Sequence, residues 1–193
     1  MDKNRLEALS DGVLAIIITI MVLEFKTPAT ADWAGLASIL PSLLSYLLSF
    51  IYIGIYWNNH HHMLKLADEV TGGILWANLH LLFWLSLVPF MTRWMDESGF
   101  AMVPVFIYGV NLLLAAVAYA VLQAGFLRQQ GPDGRLANAL GKNVKARVSP
   151  AIYVAGCALA FAAPVLGLAA YAVVAAIWLV PDRGMERALR RGA

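Results

Sequence analysis

From Val148 to Val180 the chain carries no charged residue. Such a run is too long for one membrane-crossing helix of roughly 20 residues and too apolar to be shed into water. Pro164 with Gly167 divides it into two rather short helices. The composition extends the same constraint to the whole chain. Of 193 residues, 61% are hydrophobic and 13% charged, where a soluble domain is about a quarter charged, and the mean hydropathy is +0.70. An ordinary soluble domain and a disordered chain are both excluded, and an all-α, multi-span integral membrane protein is left. The single cysteine, Cys157, excludes an intrachain disulfide and a zinc site built on several thiolates.

Six spans are expected. The first opens after Arg5 and runs through the uncharged block from Gly12 to Leu23, stopping at Glu24, Lys26 and Pro28. The second runs from about Leu36 to Trp57, with Pro41 near its start, and the third from Gly73 to Thr92, containing Asn78, His80 and Pro89. The fourth runs from about Val103 to Leu127, and Gly-Pro-Asp-Gly at 131–134 then reads as a tight turn. The run from Val148 to Val180 supplies the last two. Lys3 and Arg5 ahead of an apolar block resemble a cleaved signal peptide, but Glu7, Asp11 and the lack of a small-residue cleavage site argue against one.

With six spans both termini lie on one side. That side holds Lys3, Arg5, Lys65, Arg128, Arg135, Lys142, Lys145, Arg147, Arg183, Arg187, Arg190 and Arg191, and the other holds Lys26 and Arg93. The bias places both ends in the cytoplasm and the protein in the cell (inner) membrane. Residues 1–193 read as one six-helix domain without a linker or internal repeat. The arginine-rich tail from Asp182 to Ala193 fits contact with anionic lipid headgroups better than nucleic-acid binding.

Ionisable groups inside a span are costly and point to function. The first span begins Arg5-Leu6-Glu7-Ala8-Leu9-Ser10-Asp11-Gly12. Arg5 and Asp11 are six residues apart and so fall on different faces of one helix, each needing partners on other helices or in a hydrated vestibule. Gly12 permits close approach of another backbone or a local bend. A plainer alternative makes Ser10 or Asp11 the N-cap of a helix starting at the membrane surface.

At the end of the second span stands Trp57-Asn58-Asn59-His60-His61-His62. Consecutive helical residues point about 100° apart, so three adjacent histidines do not converge on one ion, and no metal site is expected. His60 or His61 is instead placed to hydrogen-bond Asp11 or Ser10, with Asn78 and His80 as further candidates for the same network. Simple hydration at the interface is the alternative for each histidine. Trp33, Trp94 and Trp178 fall near span ends, as an aromatic belt requires. Gly54, Gly109, Gly125 and Gly156 suit close helix packing. No P-loop, dinucleotide fingerprint, nucleophile elbow or zinc-protease motif appears, and no enzymatic activity or cofactor is expected.

The stretch from Arg5 to Gly12, followed by Val13 to Glu24, resembles the Arg-x-x-x-Phe-Ser-Asp-Gly signature that opens the first helix of the transmembrane protein 175 family of potassium channels. Leu9 stands here in place of the signature Phe. The resemblance implies a homotetramer with a central pore surrounded by the first helices, without a carbonyl filter. The family's pore-lining positions fall on Ile16, Thr19 and Leu23, and Ile20 lies one turn beyond Ile16. These four follow i, i+3, i+4, i+7 spacing and share one helix face. Ile16, Ile20 and Leu23 would then form a hydrophobic constriction that stops ions by dewetting, with Thr19 as a ring of hydroxyls. Arg5, Leu9, Ser10, Asp11 and Gly12 would anchor and orient the pore helix. The expected function is passive conduction of K+, with lipids and other copies of the chain as partners. The rival is a secondary transporter using Asp11 and the histidines as a proton relay.

Overall fold

The computed structural model describes residues 3–67, 69–140 and 144–180. They form α1 (Lys3–Leu23), α2 (Trp33–Ser38), α3 (Leu40–Leu66), α4 (Gly72–Ser86), α5 (Val88–Glu97), α6 (Met102–Gln130), α7 (Arg135–Leu140), α8 (Val144–Ala162) and α9 (Pro164–Leu179). Among the described residues, five segments are long and apolar enough to cross a membrane, with α4 and α5 together counting as one, and α9 is an apolar helix of 16 residues. The protein is an all-α, multi-pass membrane protein. Lys142 and the basic tail in residues 181–193 lie outside the described residues.

Prolines place the breaks. Pro41, Pro89 and Pro164 each occupy the first turn of α3, α5 and α9, where their missing N–H is lost at no cost. The third span is therefore not one helix: it breaks at Leu87 and resumes as α5. Gly167 lies inside α9 rather than at its break, so Pro164 alone divides the last apolar run. The second span extends well past Trp57, to Leu66, because nothing in Asn58 to Lys65 interrupts a helix. Gly131 ends α6 at φ 76°, a conformation that favours glycine. Outside the spans, Asp32 caps α2: its carboxylate accepts from the Gly35 N–H at 2.8 Å and the Thr30 hydroxyl at 2.7 Å, which holds its pKa below the usual carboxylate range.

α6 is the hub, packed against α4, α5, α8 and α9, while α1 lies against α3, α4 and α5. Hydroxyls knit the interior where lipid offers no water. Ser49 shares hydrogen bonds with Thr92 at 2.7 Å and Tyr108 at 3.0 Å, Tyr52 donates to the Tyr171 carbonyl at 2.6 Å, and Tyr119 donates to the Asn59 carbonyl at 3.2 Å. Each joins two helices, the usual glue of membrane bundles. Tyr171 is the most confined of these groups. It is fully buried, and a Cβ at Gly109 or Gly156 would overlap its ring. Gly54, by contrast, faces open space, and a Cβ at Gly125 would meet only ordinary contact with Ile74. Gly109→Ala is therefore expected to displace Tyr171 and destabilise the fold by about 1–3 kcal/mol, the usual range for overpacking. Gly54→Ala should be tolerated. Thermal unfolding of the two variants in detergent checks the contrast.

Candidate functional site

α1 presents two unlike faces. Leu6, Ser10, Leu14, Ile17 and Met21 recur at helical spacing and are buried against α3, α4 and α5. The opposite face carries Ile16, Thr19, Ile20 and Leu23, all exposed, with Leu23 at 80% and Ile16 at 58%. Among the described residues this stripe is left largely uncovered. Ile16 and Ile20 border an open recess of about 390 Å³ shared with Pro89 and Phe90. The Thr19 hydroxyl donates back to the Ile16 carbonyl at 2.9 Å. Its one hydrogen is thereby used within the helix, so only lone pairs point outward.

One end of α1 is tied down by a buried polar chain. The fully buried Ser10 hydroxyl donates to the Leu6 carbonyl at 2.8 Å and accepts from Asn78 Nδ2 at 3.0 Å. That leaves Asn78 Oδ1 as acceptor for His60 Nε2 at 2.7 Å, which fixes the imidazole as the donor. Three helices, α1, α4 and α3, meet through three side chains. Beside this chain, Trp57 Nε1 donates to Asp11 at 3.0 Å and His61 Nδ1 meets Glu7 at 2.8 Å.

Other expected site residues fall elsewhere. His80 accepts from Trp84 Nε1 at 2.9 Å, one turn along the same helix on its exposed side, away from the chain through Asn78. Ser10 and Asp11 do not cap α1, which already runs from Lys3, so the capping alternative is overturned. Arg5 and Leu9 are exposed, and a Cβ on Gly12 would meet nothing within 4 Å, so among the described residues no other backbone closely approaches it. His60 and His61 have turned to different partners, and His61 and His62 have ring centres 6.1 Å apart.

The far end of α1 is held by charge. Arg93 on α5 reaches Glu24 just past α1 and, at 3.2 Å, Glu97; Lys26 reaches Glu97 at 3.1 Å. Ser42 on α3 donates to Asp96 close by. Helix α1 is thus pinned at both ends, by the Ser10–Asn78–His60 chain with the Asp11 and Glu7 contacts at one and by ion pairs at the other.

The sequence profile described as endosomal/lysosomal potassium channel TMEM175 matches residues 5–89, the stretch that holds α1, the histidines and Asn78. A potassium channel of Chryseobacterium sp. (strain P1-3) is 51% identical over 190 residues, covering 98% of this chain and 99% of that one. The chain belongs to the TMEM175 family. A potassium channel of Streptomyces collinus is 29% identical over 187 residues, covering 90% of each. The crystal structure of a lysosomal potassium-selective channel TMEM175 homolog from Chamaesiphon minutus superposes with a TM-score of 0.81 at 29% identity, over 94% of this chain and 98% of that one. Membership of the TMEM175 family places the chain among transport proteins rather than enzymes.

Trp57, Glu7, Glu24, Asp96 and Glu97 escaped the sequence reading as partners in these TMEM175 contacts. Glu7 had a usable signal, since it lies one turn before Ser10 and Asp11 at the same helix end. The Arg93–Glu24 pair joins residues 69 positions apart, and nothing local announces it, whereas Arg93 and Glu97 stand at i, i+4 on one helix. Asn78→Leu should strand the donor of His60 in a buried site and destabilise the fold by about 1–3 kcal/mol. His80→Leu should be close to neutral, and Asp11→Ala, which removes a partly exposed bond to Trp57, should cost less than Asn78→Leu. Unfolding midpoints of the three variants in detergent give the ranking.

Proposed function

We propose that the chain is a potassium channel in which four copies assemble around a central pore lined by α1. The supporting observation is the uncovered stripe of Ile16, Thr19, Ile20 and Leu23 on a helix that is otherwise anchored along its opposite face. An apolar stripe on a bundle helix can face lipid. A threonine whose outward lone pairs lie between branched alkyl groups has a better use beside a cation, and relatives of this chain are named potassium channels.

In this reading Ile16, Ile20 and Leu23 form stacked hydrophobic rings that close the pore by dewetting, and Thr19 supplies oxygens to an ion that has shed water. The filter is built from side chains rather than from backbone carbonyls. Ser10, Asp11 and Arg5 hold and orient α1 and do not touch the ion. Six spans, with both termini cytoplasmic in the cell (inner) membrane and the whole chain acting as one channel domain, complete the proposal. Conduction is passive, driven by the K+ gradient and the membrane potential.

Recording from purified protein in liposomes under a K+ gradient tests the function. Unitary currents far above transporter turnover support the channel. Flux that requires a proton gradient would replace it with a proton-coupled transporter.

Two substitutions test the pore. Ile16→Asn and Leu23→Asn should each raise resting ion leak, because a polar ring makes a narrow apolar pore easier to wet. Unchanged conductance in both, with assembly intact, would remove α1 from the pore. Thr19→Val keeps the shape but removes the oxygen, so it should lower the preference for K+ over Na+, while Thr19→Ser should retain it. Reversal potentials in mixed K+ and Na+ gradients measure the difference.

A further inference from the structure

Away from α1, the basic end of the bundle contains a cavity of about 330 Å³ between α3, α6, α8 and α9. Its volume lies within the range of about 300–1,000 Å³ typical of small-ligand pockets. The lining is apolar and aromatic, with Tyr56, Ala116, Ala120, Pro150, Tyr153 and Trp178 among its walls. The indole of Trp178 donates to Ser149 at 2.8 Å and so closes one side between α8 and α9. Tyr56 is 8% exposed and lines the cavity, and its hydroxyl has no hydrogen-bond partner among the described residues. The wall is mostly apolar, with Asn59, Gln123, Ser149 and tyrosine side chains as its polar groups, and such a lining suits an alkyl chain attached to an oxygen acceptor.

The rim is basic. Arg128 lies one helical turn beyond Ala124 on α6, Lys145 one turn before Ser149 on α8, and Arg147 one turn before Pro150; all three lining residues border the cavity. Lys145 is fixed there, since its ammonium donates to the Val180 carbonyl at 2.6 Å, two residues past the lining Trp178, and keeps two further donors. Arg128 and Arg147 are exposed. The bordering turns at 59–66, 124–130, 144–149 and 178–180 contain no Asp or Glu. A mostly apolar slot whose described bordering turns carry cations and no carboxylate, between membrane helices, matches an amphiphile with a negative head.

We propose that this cavity binds an anionic phospholipid of the adjacent leaflet. One acyl chain enters between α3, α6 and α8, the Tyr56 hydroxyl donates to an ester carbonyl, and the phosphate lies against Arg128, Lys145 and Arg147. The site requires only that the bundle spans a membrane and is independent of the pore assigned to α1.

The test uses the full-length protein in detergent, with thermal unfolding followed as phosphatidylglycerol, phosphatidylcholine or oleic acid is added. Phosphatidylglycerol should raise the midpoint more than phosphatidylcholine does. Arg128→Gln with Arg147→Gln should weaken phosphatidylglycerol binding about tenfold or more, as loss of two surface cations implies, and remove its advantage. Ala116→Leu and Ala120→Phe, which fill the slot and leave the rim intact, should abolish the shift from either phospholipid, and Tyr56→Phe should weaken it. Bound phospholipid extracted from the purified proteins and weighed by mass spectrometry should fall in the same order. Equal shifts in the wild type and both filled variants would overturn the proposal. So would a response to oleic acid with none to phosphatidylglycerol, which assigns the slot to free fatty acid, or a smaller assembly on filling, which assigns it to a second copy.

Discussion

Ser10, Asn78 and His60 are affordable inside a membrane bundle only as a set. Each carries polar atoms that water cannot reach, and each satisfies the next, from the Leu6 carbonyl through Ser10 and Asn78 to His60. Removing any member leaves an orphaned donor or acceptor in a medium of low dielectric, where such orphans cost most. The set therefore fixes the rotation of α1 about its own axis as well as its distance from α3 and α4. With Ser10 turned inward, Leu6, Leu14, Ile17 and Met21 must follow it, and Ile16, Thr19, Ile20 and Leu23 must face out.

The opposite end uses different physics for the same purpose. Glu24, Lys26, Arg93 and Glu97 lie where the side chains keep contact with solvent, so charged partners can be held without the desolvation cost of the interior. Arg93 joins the end of α1 to α5, which begins after the break at Leu87. With the polar chain at the other end, these ion pairs frame the exposed stripe of α1 at both ends. The peripheral helices are held by a separate device, the packing of Tyr171 into the space left by Gly109 and Gly156.

Span placement was legible because a lipid environment imposes long apolar stretches on the sequence itself. Even so, the polar residues after Trp57 make it look like the end of the second span, although the helix continues to Leu66 because Asn and His at a helix end break nothing. The apolar run of the third span likewise hides its break at Leu87. The polar chain was legible in its members, Ser10, His60 and Asn78, since buried polar residues at one end of three spans must find partners there. Its order was not, because Ser10, Asn and His can each pair in several ways and only the crossing of the helices selects one. His80 illustrates the point. It stands two residues from Asn78, which turns it through about 200° to the other side of α4, where its partner is Trp84.

By itself the sequence determined the solvent and the helical class, because both follow from which residues are apolar and at what spacing. The family signature in Arg5 to Gly12 also belongs to the sequence. The tertiary structure alone decided which polar atoms meet, where Arg93 finds Glu24, and that four helices leave a slot under a basic rim. Those outcomes depend on the angles at which helices cross and on where prolines break them, and no local pattern of residues encodes a distance between segments far apart in the chain.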